Sequence, residues 1–436
     1  MKHPKVLILI QPFNNNTGGG ITLTNLFYGW PKDKLAVASL PALVSTHINT
    51  AICDTYYQLG EKETIWKFPF NKIKRRYPSG LLDFKKRQVK EIVPKKSRLR
   101  SRISIDYVEP ALKWLGVMEL LYELKMSDEF TRWLDDFNPD IIYAQAHGRN
   151  RVRFCSRVKE YSKKPMVFHM MDDWPSYARD ESVFGKSWEK VVDKEFRHLL
   201  KISDLHLGIS ELMDDEYRRR YGMDFKPFHN PIDIDFWKTG QKTTWELQAE
   251  NPTILYAGRV GLGIEESLEN MAEAVTRINS KSGSSIEFVI QVATKRAWME
   301  KYSCVKHREP VPYEQLPLKF GEADILYLPY DFSQSAVKFI KYSMPTKASE
   351  YMVSGTPILI FAPEETALVD YAKKYQWAKV VTENKIDVLV EAVEGLLTNS
   401  GEREAFGKAA IAIAKERHEG KKVRDDFRQA LNSVLA

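Results

Sequence analysis

The chain has 436 residues, of which 43% are hydrophobic and 12% aromatic, so it can bury the cores of two ordinary domains and is not a disordered protein. Its three cysteines, Cys53, Cys155 and Cys304, lack the spacing of a zinc site or a disulfide framework, which favours a reducing compartment. No run approaches the ~18 apolar residues of a membrane span, and the short run at residues 6–10 indicates a first strand, not a signal peptide.

The net charge of +7 is concentrated in one segment. Residues 72–102 contain 13 Lys or Arg and 2 Asp or Glu, so the rest of the chain is mildly acidic. Apolar residues alternate with these cations, a pattern typical of a basic amphipathic segment on an anionic membrane. An anionic acceptor or a solvated loop would fit the same pattern. No recognised nucleic-acid-binding motif accompanies the charges, so we expect no nucleic acid partner.

Three consecutive glycines, Gly18, Gly19 and Gly20, follow the first predicted strand and precede a predicted helix. Glycines let backbone amides approach a ligand closely, and the helix would direct its positive end the same way. The spacing is not that of the dinucleotide fingerprint, and there is no Walker lysine. A flexible loop without a ligand is the alternative interpretation.

Residues 34–70 suggest short strands and helices, residues 108–137 show helical patterns, and the strands predicted at 139–145 and 164–168 each end in polar side chains. The carboxyl ends of strands are where open α/β sheets bind ligands. The polar residues are His147 and Arg149 after the first of these strands, and His169, Asp172 and Asp173 after the second.

His169 suits hydrogen bonding to a substrate hydroxyl, although an isolated histidine is equally typical of a satisfied core. Asp172 and Asp173 resemble half of a metal site, but no third ligand is evident. We therefore favour hydroxyl binding or structural capping over metal binding for this pair.

A second alternation of strands and helices begins at Pro252, after a predicted linker at residues 238–251. Strands are predicted at 253–257, 286–292, 323–329 and 378–381, with residues 307–312 as a connection. Arg259 lies where a loop meets a helix start, a good position for a diphosphate. Two successive units of this kind, without hairpin signals, predict an α/β protein with two doubly wound parallel-sheet domains.

Residues 338–363 predict a loop, a helix, a tight turn and a buried strand. Ser343 to Thr346 forms a helix entrance in which Ser or Thr accepts from free amides, and Gly355 ends the helix as a left-handed cap. Lys347 and the helix N-terminus suit a phosphate, while Glu350 suits two sugar hydroxyls. An ordinary surface Lys–Glu pair is the alternative.

The ordered set of motifs resembles the GT-B glycosyltransferases and is most similar to family 4. The resemblance spans nearly the whole chain and is carried by Gly18–Gly20, the loop at His169, residues 203–210, Asn230-Pro231-Ile232-Asp233 with Phe236, Gly258-Arg259, and the series Pro345, Lys347, Glu350, Gly355 and Pro357.

The resemblance implies two Rossmann-like domains facing across a cleft: an acceptor domain at 1–238, a donor domain at 239–415, and a terminal helix at 416–436 that crosses back. It implies that Arg259 and Lys347 neutralise the donor diphosphate, that Glu350 contacts its ribose, and that Gly18–Gly20 close over it. It further implies that His169 touches the transferred sugar. We assign His147 and Arg149 to the acceptor.

Two departures from the family pattern stand out. Tyr342 occupies the position of the first Glu of the E-x7-E motif, so we include Tyr342 in the donor site while the donor sugar stays open. Residues 261–263 are Gly-Leu-Gly where a second Lys is usual, and we expect Lys347 or Lys341 to supply that charge.

The predicted function is transfer of a sugar, of the hexosyl type, from a nucleotide-diphosphate sugar to a glycan or lipid-linked acceptor, with retention and without a metal or other cofactor. Asp172 or Asp173 would act as base if the reaction inverts. The resemblance suggests envelope or capsule polysaccharide assembly by a cytoplasmic protein, peripheral on the inner membrane face if residues 72–102 bind lipid. The alternatives are a nucleotide-sugar epimerase of the same fold and a degenerate sugar-binding subunit.

Overall fold

A computed structural model describes residues 3–44, 48–74, 76–84, 118–177, 185–247, 251–261 and 263–435. Most of the basic segment, from residue 85 onward, lies outside the described residues. The chain divides into two compact units, the first formed by Met1–Phe228 with Arg424–Ala436 and the second by His229–Val423.

The first unit is organised around an eight-stranded sheet with the order β10-β9-β8-β7-β1-β2-β3-β5. All neighbours are parallel except the β3–β5 pair. The strand order reverses between β1 and β7, as in doubly wound folds. A separate antiparallel pair joins β4 and β6. The strands are β1 Val6–Leu9, β2 Leu35–Ser39, β3 Tyr56–Gln58, β4 Thr64–Trp66, β5 Gly80–Leu81, β6 Tyr122–Leu124, β7 Ile141–Ala144, β8 Met166–Met170, β9 Leu205–Gly208 and β10 Lys226–Pro227.

Strands β1, β2, β7 and β8 are buried along their whole length, because their apolar runs are covered on both faces. The helices that follow the strands are α1 Gly18–Leu26, α2 Pro41–Val44, α3 Phe70–Ile73, α4 Asp128–Phe137, α5 Arg149–Ser162, α6 Trp174–Tyr177, α7 Gly185–Ile202 and α8 Glu211–Tyr221.

The helical pattern predicted at residues 108–137 is correct at its end and wrong at residues 122–124. Helix α4 is confirmed, and Ser127 caps it by accepting a hydrogen bond from the amide of Phe130. Residues 122–124 instead form strand β6, in which Tyr122 stands opposite Trp66 of β4. Cross-strand aromatic pairing outweighs the helical pattern here, because strand preference reflects side-chain partners more than local propensity.

The second unit contains a six-stranded parallel sheet with the order β13-β12-β11-β14-β15-β16. Counted from its own first strand this order is 3-2-1-4-5-6, the arrangement of a Rossmann fold. The predicted connection at 307–312 is wrong at its first two residues, because they belong to the polar edge strand β13. The strands are β11 Thr253–Ala257, β12 Glu287–Gln291, β13 Val305–Arg308, β14 Ile325–Pro329, β15 Ile358–Phe361 and β16 Lys379–Val381.

Helices flank this second sheet and close the chain. Trp237 and Trp377 are among its largest fully buried side chains. The helices are α9 Ile234–Trp237, α10 Glu265–Ser282, α11 Leu316–Glu322, α12 Gln334–Ile340, α13 Lys347–Ser354, α14 Ala367–Tyr375, α15 Ile386–Thr398, α16 Ser400–Arg417 and α17 Gly420–Asn432. Among the described residues, none of the helices combines the length and the apolar character needed to cross a bilayer.

The end of helix α17 belongs to the first unit, which it joins from Arg424 onward. Phe427 is fully buried there, with ring centroids 5.1 Å from Phe27, 6.1 Å from Tyr143 and 5.3 Å from Phe228. The structure thus divides the chain after residue 228 and before residue 424, where the sequence suggested 238 and 416.

Gly407→Ala tests the close approach of helix α16 to Gly355. A Cβ at residue 407 would overlap Trp245 Nε1 and the carbonyl oxygen of Gly355. We expect a loss of about 1–3 kcal/mol in the free energy of unfolding, as in overpacked cores. The preference of helix interiors for alanine works in the opposite direction.

Gly395→Ala in helix α15 is the matched control, because the nearest atom to its added Cβ is 3.9 Å away. We expect this variant to be neutral or stabilised by up to ~1 kcal/mol. Equal midpoints of urea unfolding for the two variants would contradict the close-packing argument.

Candidate functional site

The strongest candidate site lies at the carboxyl end of β11, where the strand order of the second sheet reverses. Lys347, the first residue of α13, places its ammonium 4.1 Å from the centroid of the Tyr256 ring. A Cβ at Gly258 would collide with that ammonium. Glycine at residue 258 therefore allows the lysine to reach the end of the strand.

Arg259 follows directly and adds a second cation. Its carbonyl oxygen accepts a 2.5 Å hydrogen bond from the Tyr256 hydroxyl, and its guanidinium lies 5.9 Å from the ring centroid of Phe339. The side chain is exposed. Among the described carboxylates, none is within ion-pair distance of Arg259 or Lys347, so both cations remain available to an anionic ligand.

The pKa values of Lys347 and Glu350 move toward each other. Burial lowers the pKa of Lys347 to about 7, an effect that Glu350 opposes and Arg259 reinforces. Burial raises the pKa of Glu350 to about 7, against the effect of Lys347. Both side chains keep partial access to solvent. A bound diphosphate would favour the charged form of Lys347.

The N-terminus of helix α13 has no side-chain cap. Thr346 stands at the capping position without capping the helix, contrary to the prediction for Ser343–Thr346. The carbonyl oxygen of Thr346 instead accepts from Ser349 Oγ at 3.1 Å and from Asn230 Nδ2 at 3.4 Å. The amide of Ala348 already donates to the carbonyl oxygen of Pro345 at 2.9 Å, so this end of α13 offers a phosphate the Lys347 ammonium and the positive end of the helix dipole. The predicted left-handed cap at Gly355 is confirmed, with φ of 72°.

An aromatic surface beside Glu350 was missed from the sequence. Tyr313 stacks on Phe236 with ring centroids 5.2 Å apart and an interplanar angle of 3°. Burial raises the pKa of Tyr313, and the Glu350 carboxylate contributes to the shift. The Tyr313 side chain is nevertheless 47% exposed, so it presents an aromatic surface near the carboxylate. No motif in the sequence marked this tyrosine.

Tyr342, at the position of the first Glu of the family motif, is buried at 8% exposure. The Lys341 ammonium lies 5.4 Å from the centroid of its ring. The structure therefore shows Tyr342 as a packed aromatic residue against which Lys341 rests.

In the first unit, the three glycines form the first turn of α1 instead of a loop before it. Thr17 caps this helix by accepting a 3.2 Å hydrogen bond from the amide of Gly20. A Cβ at Gly19 would lie 3.4 Å from Gln145 Oε1 and 3.7 Å from Gln11 Oε1. The helix start therefore meets two glutamines at the reversal point between β1 and β7.

His169 lies within strand β8 and is buried at 1% exposure. Its Nδ1 is hydrogen bonded to the Tyr143 hydroxyl at 2.5 Å, and that hydroxyl accepts from Gln145 Nε2 at 3.0 Å. Burial lowers the pKa of His169 to about 3, so the ring is neutral. The histidine is thus linked through Tyr143 to Gln145, which borders the start of α1.

The other polar residues of the first unit are mostly paired. Arg149 donates to Glu195 at 2.8 Å. Asp173 is buried and accepts from the Tyr217 hydroxyl at 2.6 Å and from Arg220 at 2.9 Å. These contacts give Arg149 and Asp173 structural partners.

His147 is half-buried, with its ring centroid 6.4 Å from that of Trp174. Burial lowers the pKa of His147, while the nearby charge of Asp172 opposes that shift. In the described part of the chain, no group of three His, Cys, Asp or Glu side chains is arranged to hold a metal ion.

Comparisons with known proteins identify the fold. No protein-family model and no curated protein matches the chain. Among solved structures, a sucrose-phosphate synthase from Thermosynechococcus elongatus is 11% identical, with a TM-score of 0.61 and 99% of each chain covered. HepE from Anabaena in complex with UDP and glucose is 12% identical, with a TM-score of 0.59 and coverage of 99% of this chain and 100% of that one.

A putative UDP-N-acetylglucosamine 2-epimerase from Listeria monocytogenes is 14% identical, with a TM-score of 0.52 and coverage of 99% of this chain and 96% of that one. At these identities the likeness shows the fold alone. The chain has the GT-B fold, built from two Rossmann-like units.

Lys347→Met should stabilise the ligand-free protein, and more so at about pH 6 than at about pH 9. The folded-state pKa of Lys347 lies below its ordinary value of 10.5. The resulting cost to stability is complete below the folded pKa and disappears as the pH rises toward the unfolded one. Methionine carries no proton, so the gain in Tm should shrink as the pH rises.

Lys281→Met is the control, because the Lys281 side chain is 76% exposed. Its Tm should show no comparable dependence on pH. A Lys347→Met gain that is absent at about pH 6, or that grows with pH, would contradict the burial of the ammonium.

Proposed function

We propose that this protein is a glycosyltransferase that moves a hexose from a UDP-hexose to a glycan or lipid-linked acceptor, with retention and without a metal. The observation that supports the proposal is the meeting of Arg259, Lys347 and Glu350 where the order of the second sheet reverses. This is the position at which doubly wound sheets bind nucleotides. Within the described ranges, neither cation forms an ion pair with a carboxylate, which suits the diphosphate of a donor.

In the proposed reaction, Arg259 and Lys347 stabilise the charge that develops on the departing diphosphate. Fixed cations do this best where little water reaches them, since they need no reorganisation as the bond breaks. Burial lowers the pKa of Lys347, and the charge of a bound diphosphate would raise it again and favour the protonated form. The positive end of the α13 helix dipole lies beside the same phosphate.

Glu350 is proposed to accept hydrogen bonds from the two ribose hydroxyls. A carboxylate with two acceptor oxygens suits such a diol, and binding would favour its ionised form. Tyr313, stacked on Phe236, offers an exposed ring near this carboxylate. With both pKa values at about 7, Lys347 loses its charge above neutral pH and Glu350 loses its charge below it. The affinity of a UDP-sugar should therefore be highest near neutral pH.

The choice of UDP is supported by the HepE structure, which contains UDP and glucose. Membership of family 4 and a role in envelope polysaccharide assembly remain parts of the proposal. So do a cytoplasmic location and membrane contact through residues 72–102. His147 and Arg149 are proposed to border the acceptor, and Gly18–Gly20 to approach the donor.

His169 is proposed to act on the sugar through Tyr143 and Gln145. With retention, neither Asp172 nor Asp173 serves as the acceptor base. The hydrogen bonds of Asp173 to Tyr217 and Arg220 support that part of the proposal, because they occupy its carboxylate.

An epimerase is the second candidate, favoured by the likeness to the Listeria protein. An epimerase needs no acceptor, so incubation of UDP-sugar with the protein alone separates the two activities. Formation of an epimer without transfer would replace the transferase proposal. A sugar-binding subunit without activity would show neither an epimer nor donor hydrolysis nor transfer.

Thermal unfolding with UDP, GDP, ADP or dTDP tests the donor site directly. We expect UDP to give the largest increase in Tm, because a ligand that binds only the folded state stabilises it by about 2.7 kcal/mol at a hundred times its Kd. Lys347→Met should lose most of this increase, and Lys281→Met should keep it. A larger shift with GDP, ADP or dTDP would reject UDP, and no shift with any of the four would reject the donor site.

Arg259→Ala should lower the turnover of UDP-glucose by ~10²-fold or more, as the loss of other preorganised charge stabilisers does. Arg259→Lys should retain part of the activity, since it keeps the charge but not the fork of donors. Arg277→Ala, at an exposed arginine paired with Glu273, is the control and should leave turnover unchanged. Normal turnover by Arg259→Ala would refute the assigned role.

A further inference from the structure

The first unit contains a cavity of about 590 Å³. Lys74 and Arg76 of its lining belong to the basic segment 72–102, whereas His147, Arg149 and the predicted donor-site residues are not among the lining residues. It lies where β2 and β3 end, since Leu40 follows β2 directly and Gly60 comes shortly after β3. The carboxyl ends of parallel strands are the edge at which these sheets bind ligands. The volume is within the ordinary range for a small-molecule site.

Most of the wall of this cavity is apolar. Trp66 and Tyr122 stand opposite each other on β4 and β6, with ring centroids 5.0 Å apart. Leu40, Pro41 and Ile65 extend the wall. A surface of this composition suits a hydrocarbon chain better than a sugar, which needs many hydrogen bonds to its hydroxyls.

Polar side chains also line the cavity, among them Glu61, Asn71 and Tyr77, and part of the hydrogen-bonding capacity of the lining is used within the first unit. The Thr64 hydroxyl already donates to the carbonyl oxygen of Leu59 at 3.1 Å. Apolar surface also continues beyond the cavity, because Ile65 is 40% exposed and the nearby Phe68 is 73% exposed. Ile65 therefore extends the apolar wall of the cavity to the surface of the first unit.

Two cations accompany this apolar wall. The Lys74 ammonium lies 5.2 Å from the centroid of the Trp66 ring. The Arg76 side chain is 71% exposed and lies 4.0 Å from the carboxylate of Glu61. An exposed ion pair of that length contributes at most about 1 kcal/mol, so a phosphate can take its place.

We propose that this cavity binds the acceptor as an anionic amphiphile, a long-chain alcohol that carries a phosphate or diphosphate. The chain packs against Ile65, Trp66 and Tyr122, and the phosphate is held by Lys74 and Arg76. The role of the amphiphile as acceptor rests on the proposed function. Its binding to the cavity is a separate property of the first unit.

Calorimetric titration with farnesyl phosphate, below its aggregation concentration, tests the proposal. We expect one molecule to bind per chain. Farnesol and inorganic phosphate should each bind at least ~10-fold more weakly, because each lacks one of the two interactions. Vesicles of phosphatidylglycerol separate this site from adsorption to a membrane. Vesicle binding without stoichiometric binding of farnesyl phosphate would overturn the proposal.

Two variants locate the binding. Ile65→Asp and Arg76→Glu should each weaken farnesyl phosphate binding by ~10-fold or more. Val191→Asp is matched to the first, since Val191 is also 40% exposed, and Lys201→Glu is matched to the second at another exposed cation. Both controls should bind normally. Because Arg76 is largely exposed, its variant remains informative even if Ile65→Asp fails to fold.

Normal binding by Arg76→Glu would overturn the proposal. Weakening by Lys347→Met of the same size as that by Arg76→Glu would also overturn it, because the probe would then occupy the donor site. The UDP thermal shift is measured on the same samples. If farnesyl phosphate does not bind but UDP still raises the Tm, the acceptor assignment is refuted and the proposed function stands. If UDP does not raise the Tm, the proposed function is refuted, and the amphiphile site is judged by its own variants.

Discussion

The candidate site of the second unit depends on the space that Gly258 leaves beside the ammonium of Lys347. The Tyr351 hydroxyl accepts from the amide of Ala257 at 3.0 Å, so α13 and β11 are held in register by a hydrogen bond next to this space. The strand end and the helix start are therefore fixed together. This rigidity keeps a cation in a place where burial disfavours its charge, and that arrangement favours an anionic ligand over an empty site.

The second unit was largely predictable because its strands are continuous apolar runs with clear ends. Strands β11 and β15 are found close to their predicted bounds, and Gly355 ends its helix as expected. The sequence did not predict the polar edge strand β13, because Val305–Arg308 contains few apolar residues. The pairing of Arg259 with Lys347 could not come from spacing, because 87 residues separate them. Only the family resemblance predicted that Arg259 and Lys347 lie at one site. No sequence pattern predicted that Tyr313 lies near Glu350.

The first unit shows why polar residues after a strand are a weak guide to function. His169 and Asp173 both follow the predicted pattern, yet their side chains are buried and hydrogen bonded to partners on other elements. The partners of Asp173 come from α8, which no local pattern connects to β8. Strand β6 also depends on a partner that is distant in sequence, since Tyr122 pairs with Trp66 of β4. Such contacts depend on tertiary packing, which residue order alone does not specify.

The way in which α17 completes the first unit has a consequence for biosynthesis. A ribosome finishes residues 1–228 well before it adds Phe427, the side chain that covers Phe27 and Tyr143. At about 5–20 residues per second, the delay is on the order of ten seconds or longer. During that interval the nascent unit lacks part of its core and exposes aromatic surface. Its final closure therefore waits until the whole second unit has been synthesised, and a chaperone that shields aromatic side chains would act in this window.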